Sequence, residues 1–167
     1  MFVGRPGTGK TTLARLTAAE LTAAHLRIDE IEAAVIRSGV AKPPLGPVGY
    51  AVAHAVAASC LAAGTPVVVD AVSPVPPARA GWVALAGVAK VSVRIIEVVV
   101  SDPVEHRRRV EARRSDVAGL VVPTWRQVTA VAYEPWDTSR DGPRLVVAND
   151  GSPDDAMTQV RAYLSKV

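Results

Sequence analysis

Eight consecutive residues, Gly4-Arg5-Pro6-Gly7-Thr8-Gly9-Lys10-Thr11, match the pattern G-x-x-x-x-G-K-[ST] at every fixed position. Glycines at this spacing let the backbone wrap an anion, with several N–H groups pointing inward. A helix that starts at the lysine adds the positive end of its dipole. A lysine there reaches β- and γ-phosphates, and the next hydroxyl can ligate Mg²⁺. The pattern assigns Gly4, Pro6, Gly7, Thr8, Gly9, Lys10, Thr11 and Thr12 to a nucleotide cradle. Lys10 doubles as a catalytic cation in that reading, and Thr11 as a metal ligand. The context agrees. Met1-Phe2-Val3 is an apolar strand stump, and a helical pattern follows from about Lys10 to Ala24. Strands usually have about five residues, so either this one is short or it begins upstream of Met1.

Two acids stand where such chemistry needs them. Asp70 ends the apolar run Pro66-Val67-Val68-Val69, which reads as a strand buried on both faces. It suits a Mg²⁺-holding acid beside Thr11, or a plain cap of the next turn. Ala71 follows it, where many hydrolysing ATPases carry Glu. Asp29 ends a second short strand, Leu26-Arg27-Ile28-Asp29. A carboxylate there can take the proton of an attacking hydroxyl. It can equally cap a helix over Glu30–Arg37, and the two roles are compatible.

The segment Glu105 to Arg114 carries five arginines. Arg109 and Arg113 are four apart, hence on one face of a helix. One guanidinium can stack on a base while the other meets phosphate oxygens. The alternative is a solvated helix with its arginines paired to Glu105 and Glu111. Residues 115–123 follow as a short loop, so about 103–123 is a candidate lid. Asp116-Val117-Ala118-Gly119 matches D-x-x-G but lies after the fourth strand, not the third, and is read as coincidence. No N-K-x-D or T-K-x-D stretch is present to read guanine, which disfavours a GTPase.

These side chains need a frame. Strands alternate with helices five times along the chain. That order predicts an α/β fold with a five-stranded parallel sheet covered by helices on both faces. Helices are expected near 30–37, 50–63, 78–88, 103–114, 124–132 and 152–164, with Thr124 and Ser152 as caps. Strands are expected at 66–70, 91–100 and 145–147, and an irregular stretch at 133–143. In such sheets ligands sit at the carboxyl ends of the strands, where the glycine loop, Asp29 and Asp70 all fall.

The acceptor side is assigned to the loop Gly39–Gly49, the start of the 50–63 helix and the loop Val72–Arg79. Tyr50 and Arg79 are its expected polar contacts beside Asp29. Trp125, Tyr133 and Trp136 are expected as a wall, with ordinary packing as their alternative. Asn149, after the last strand, is placed near the nucleotide.

The 167 residues suit one domain, 1–167. Apolar residues are 49% of the chain, enough for a core. The net charge is +3, from 19 basic and 16 acidic residues, which disfavours a nucleic-acid partner. One cysteine, Cys60, excludes a disulfide framework and points to a reducing, cytoplasmic setting. No signal peptide or membrane-spanning stretch is expected.

GRPGTGKTTLARL at 4–16, LRID at 26–29, VVVDAVSP at 67–74, EHRRRVEARR at 105–114, PTW at 123–125 and YEPW at 133–136 together resemble one group. It is the small P-loop kinase family often described as "AAA domain" or predicted kinase. Relatives include chloramphenicol phosphotransferase, gluconate kinase, adenylylsulfate kinase and zeta-toxin-like kinases. The resemblance spans nearly the whole chain. It implies a nucleoside-monophosphate-kinase-like sheet with a short lid, ATP as donor, and Mg²⁺. It implies a general base at Asp29 and lid arginines at Arg109 and Arg113. The acceptor does not carry over, since family members phosphorylate alcohols, sugars, nucleotides or nucleotide sugars. The expectation is an ATP-dependent kinase of a small hydroxylated acceptor, monomeric or homodimeric. The rival is a regulatory ATPase or switch with slow hydrolysis and a protein partner.

Overall fold

A computed structural model of the chain describes residues 1–166. The elements run β1 (Phe2–Val3), α1 (Lys10–Glu20), β2 (Ala24–Arg27), α2 (Ile28–Arg37), α3 (Val48–Ala62), β3 (Val67–Asp70), α4 (Pro76–Ala89), β4 (Ile95–Val99), α5 (Pro103–Ala112), α6 (Trp125–Ala130), α7 (Thr138–Asp141), β5 (Arg144–Ala148) and α8 (Pro153–Leu164). The five strands form one sheet in the order β2-β3-β1-β4-β5. Every pairing is parallel. This is the expected α/β P-loop fold. Among the described residues no helix is long and apolar enough to cross a membrane.

Strand periodicity divides the core between two faces. Val68 joins Phe2, Leu13, Ile96, Val98, Val147, Met157 and Val160 under α1 and α8. Its neighbour Val69 turns the other way, to Ile28, Ala53, Ala57 and Trp82 from α2, α3 and α4. β1 has only two residues but lies in the middle of the sheet, so both its side chains are buried. The loop that leaves β1 is therefore anchored from both sides.

Several boundaries moved. β2 stops at Arg27, because Ile28 already starts α2. Asp29 thus lies in the first turn of a helix, not at a strand end, and the residue in the N-cap position is Arg27. The long strand expected from Val91 is confined to Ile95–Val99. The stretch 133–143 contains the short α7, whose cap is Asp137, accepting from the N–H groups of Ser139 and Arg140. The caps at Thr124 and Ser152 are present, the first as a full capping box with Gln127.

Arg79 corrects a larger expectation. It points into the protein from α4 and is 0% exposed. Its guanidinium donates to the carbonyls of Ser73 (3.1 Å), Pro74 (3.2 Å), Glu134 (2.6 Å) and Pro135 (3.3 Å). It also pairs with buried Asp141 at 2.9 Å. The guanidinium lies against the rings of Tyr133 and Trp136. With its donors taken up this way, Arg79 ties three segments together and is not available to an acceptor. Arg79→Met should destabilise the protein by about 3 kcal/mol, because four carbonyls lose a donor and buried Asp141 keeps only Arg140 of its two arginines. Urea unfolding measures the loss, and nucleotide affinity at low urea should survive it.

Candidate functional site

The glycine loop leaves β1 and ends on α1. Gly9 occupies the N-cap position of α1 with a left-handed φ of 87°. A Cβ there would lie 2.2 Å from Asn149 Nδ2. Gly7 also has a left-handed φ, 85°, and a Cβ on it would lie 2.5 Å from Val110 Cγ2. The loop is braced from outside. Asn149 Nδ2 donates to the Thr8 carbonyl at 2.9 Å. His106 Nε2 lies 2.8 Å from the Pro6 carbonyl oxygen. Thr8 Oγ1 is used within the loop, donating to the Arg5 carbonyl at 3.0 Å.

Lys10 is 5% exposed, and burial pulls its pKa below the ordinary lysine value. Asp70 and Asp29 push it back up, but it has no salt bridge among the described residues. A buried ammonium without a protein counter-ion is costly unless an anion joins it. Thr11 and Thr12 follow it along a cavity of 330 Å³. Lys10, Arg15, Arg27, Arg109, Arg113 and Arg114 line that cavity against a single acid, Asp116. The charge balance suits a polyphosphate.

Asp70 is 2% exposed, and its Oδ2 is a buried oxygen without a hydrogen bond among the described residues. Arg27 Nε is 3.7 Å away and equally unsatisfied. These two residues face each other in the sheet, since Arg27 pairs with Asp70 in the β2–β3 register. The other end of the Arg27 guanidinium grips Asp116 with two bonds of 2.8 and 3.0 Å. Arg27 thereby holds the Asp116 carboxyl below its usual pKa. Sequence reasoning missed Arg27 and set Asp116 aside. The sequence signal was present in outline: Asp116 lies two residues beyond the arginine-rich segment.

Among those arginines, Arg107 pairs with Glu111 and Arg108 with Glu105, the solvated arrangement. Hydrogen bonds from Arg108 and then Arg109 hold Glu105 down to about 2. Arg109 also donates to the Asn149 carbonyl at 2.6 Å, so it spans from α5 to the end of β5. The Asn149 side chain, expected near the nucleotide, is committed to the loop backbone through its NH₂. Arg113 closes α5 and approaches Asp29 Oδ2 at 3.7 Å. Beyond it, the Arg27–Asp116 pair and a bond from Arg37 to the Ala118 carbonyl tie down the following loop.

A second cavity, of 480 Å³, lies on the far side of the glycine loop. Arg5, Pro6, Asp29, Glu32, Tyr50, Gln127 and Tyr133 supply its polar edges and corners, and Ile28, Val72, Val121, Val128 and Val131 its apolar walls. Tyr50 is there as expected, its hydroxyl accepting from Ser73 N–H at 3.0 Å, and burial pushes its pKa up. Arg79 and Trp125 do not line it. Trp125 packs edge-on against His106, 5.1 Å between centroids, and so supports the loop from behind. Trp136 lies outside it too, donating to the Gly142 carbonyl. Arg5, Glu32 and Gln127 were not foreseen. Burial, then Asp29, raises the Glu32 pKa above the usual carboxylate value.

A family model described as AAA domain matches residues 1–135. The chain belongs to that family. A search of curated proteins gives no match to this AAA domain. Among solved structures, Kti12 of Chaetomium thermophilum with ADP-AlF3 is 17% identical, with 98% of this chain and 97% of that chain covered and a TM-score of 0.70. A sugar kinase of Janibacter sp. HTCC2649 is 17% identical, with 98% and 91% covered and a TM-score of 0.65. The APS kinase CysC of Mycobacterium tuberculosis, in complex with AMPPNP and APS, is 18% identical, with 99% and 95% covered and a TM-score of 0.60. At these identities the likeness is one of fold.

The left-handed glycines, the incompletely compensated Lys10 and the orphaned Asp70 oxygen fit a nucleotide with its metal ion. Gly7→Ala tests how closely the loop is fitted. The added methyl meets Val110, and the left-handed backbone costs about 1–2 kcal/mol. AMPPNP affinity should fall at least about tenfold, read by calorimetry. Val110→Ala in the same chain should recover part of the lost stability by removing the clash.

Proposed function

We propose that this AAA domain is an ATP- and Mg²⁺-dependent kinase that phosphorylates a hydroxyl of a small molecule. One observation carries the reading. The ion pair Asp29–Arg113 stands between the two cavities, Arg113 lining the phosphate side and Asp29 the other. The glycine loop divides them in the same way, with Gly7, Gly9 and Lys10 on one side and Arg5 and Pro6 on the other. A base, a cation and a phosphate cradle thus converge where an acceptor would meet a γ-phosphoryl group.

Bound ATP supplies the phosphoryl group and its leaving group, ADP. Lys10 and the first turn of α1 hold the β- and γ-phosphates. Thr11 and Asp70 would hold Mg²⁺, which would offset the charge on the phosphates. Asp29 receives the proton of the acceptor hydroxyl as its oxygen bonds to phosphorus and the β–γ bridge breaks. Arg113, and Arg109 behind it, offset the negative charge on the transferring group. The segment 103–123 serves as a lid that is tied down at Asp116 and Ala118. The 1–167 chain acts as one such domain.

ATP consumption with a panel of hydroxylated acceptors tests this reading. One acceptor class should raise turnover by orders of magnitude. Asp29→Asn should remove about 10²–10⁴-fold of that gain while AMPPNP affinity stays. Lys10→Ala should abolish both. Turnover that is slow, and indifferent to every acceptor and to Asp29, would overturn the kinase reading in favour of a nucleotide switch.

A further inference from the structure

Three charged groups line the second cavity: Arg5, Asp29 and Glu32. Two of them are already committed. Arg5 donates to the carbonyls of Val128 at 2.6 Å and Val131 at 3.3 Å, and its guanidinium lies 5.1 Å from the centre of the Tyr133 ring. That arginine ties α6 to the glycine loop. Asp29 faces Arg113 at 3.7 Å. Glu32 has no ion pair among the described residues. It sits one turn beyond Asp29 on α2, on the same face.

The position of Glu32 depends on a particular neighbour. Its carboxylate lies against Gly49 in the first turn of α3. A Cβ on that glycine would be 2.5 Å from Glu32 Cγ and 2.7 Å from Oε1. Any larger residue at 49 would push the carboxylate aside. Ile28, Val72 and Tyr50 also line this cavity. The cavity thus presents apolar walls, a base at one point and, a helical turn away, one carboxylate with no cation to meet it. A gluconate-like or phosphorylated acceptor would bring a second anion to that carboxylate.

We propose that the cavity takes a hydroxyl compound with an apolar body and a protonated amine, and that Glu32 is the residue that reads the amine. The proposal rests on the kinase reading for the role of the hydroxyl, but its charge selection is a property of binding alone. A partly buried carboxylate attracts an ammonium more strongly than an exposed one does, because water screens the pair less. The same field repels a carboxylate ligand. An apolar body of about ten non-hydrogen atoms is within the range that a cavity of this kind can enclose.

Three matched alcohols test it: 2-amino-1-phenylethanol, 1-phenylethane-1,2-diol and 3-hydroxy-3-phenylpropanoate. Each is titrated into the protein loaded with Mg²⁺ and AMPPNP. The amine should bind at least about tenfold more tightly than the diol, and the carboxylate most weakly. Glu32→Gln should bring amine and diol to equal affinity. Gly49→Ala keeps the charge but displaces it, and should shrink the preference without reversing it. Equal binding of the three alcohols, tighter binding of the carboxylate, no amine binding at millimolar concentration, or a preference that survives Glu32→Gln each overturns the proposal. ATP consumption with the same alcohols is a separate readout. Selective amine binding without transfer sustains the charge selection and counts against the kinase reading. Transfer to the diol without amine preference does the reverse.

Discussion

Burial of positive charge at the carboxyl end of the sheet is the constraint on which the rest of this structure turns. Lys10 and Arg27 are both nearly inaccessible, and each would be expensive to desolvate alone. Parallel strands solve part of the problem. The β2–β3 register sets Arg27 opposite Asp70, and the central position of β1 brings Lys10 close enough to feel the same carboxylate. The compensation is incomplete. Asp70 Oδ2 and Arg27 Nε remain without hydrogen bonds at 3.7 Å, and burial still depresses the Lys10 pKa. The surplus of positive charge is what makes the cavity receptive to a polyanion.

Besides Asn149 and the loop's own Thr8, two helices support the glycine loop. α5 contributes His106 and Val110 against it, and Trp125 of α6 backs His106. Arg5 returns the contact by fastening the end of α6. The arginines of α5 split by the face they occupy. Arg107 and Arg108 pair only with neighbouring glutamates, whereas Arg109, also bound to Glu105, reaches Asn149, and Arg113 at the helix end faces Asp29. One helix thus braces the loop and lines the space beside it.

What the sequence made legible was whatever is local. The glycine loop is contiguous, the caps at Thr124 and Ser152 are adjacent to the turns they close, and β3 is a run of apolar residues with an acid at its end. Alternation of strands and helices was enough for the sheet. Arg79 was misplaced because all its distant partners, at 134, 135 and 141, lie more than 50 residues away, and nothing near it signals burial. Arg27 was missed for a related reason, since its importance comes from a register across two strands. Asp116 was set aside because its motif sat after the wrong strand, yet Arg27 draws it to the cavity. Asp29 was read as the acid that ends a short strand, and a two-residue shift of the strand end moved it onto α2. Glu32 was not foreseen because Gly49, which makes room for it, lies 17 residues further along the chain.

The bond from Asn149 to the Thr8 carbonyl joins positions 141 residues apart. Its donor, Asn149, lies beyond the stretch that the family model matches, 1–135. Its consequence concerns timing. A ribosome delivers the phosphate loop 141 residues before the amide that braces it. Long-range closure of this kind is slow relative to helix formation and waits for the final strand to join the sheet. Until then the most recognisable segment of the sequence lacks its outer clamp. The loop is thus made well before the contact that completes its working conformation can form.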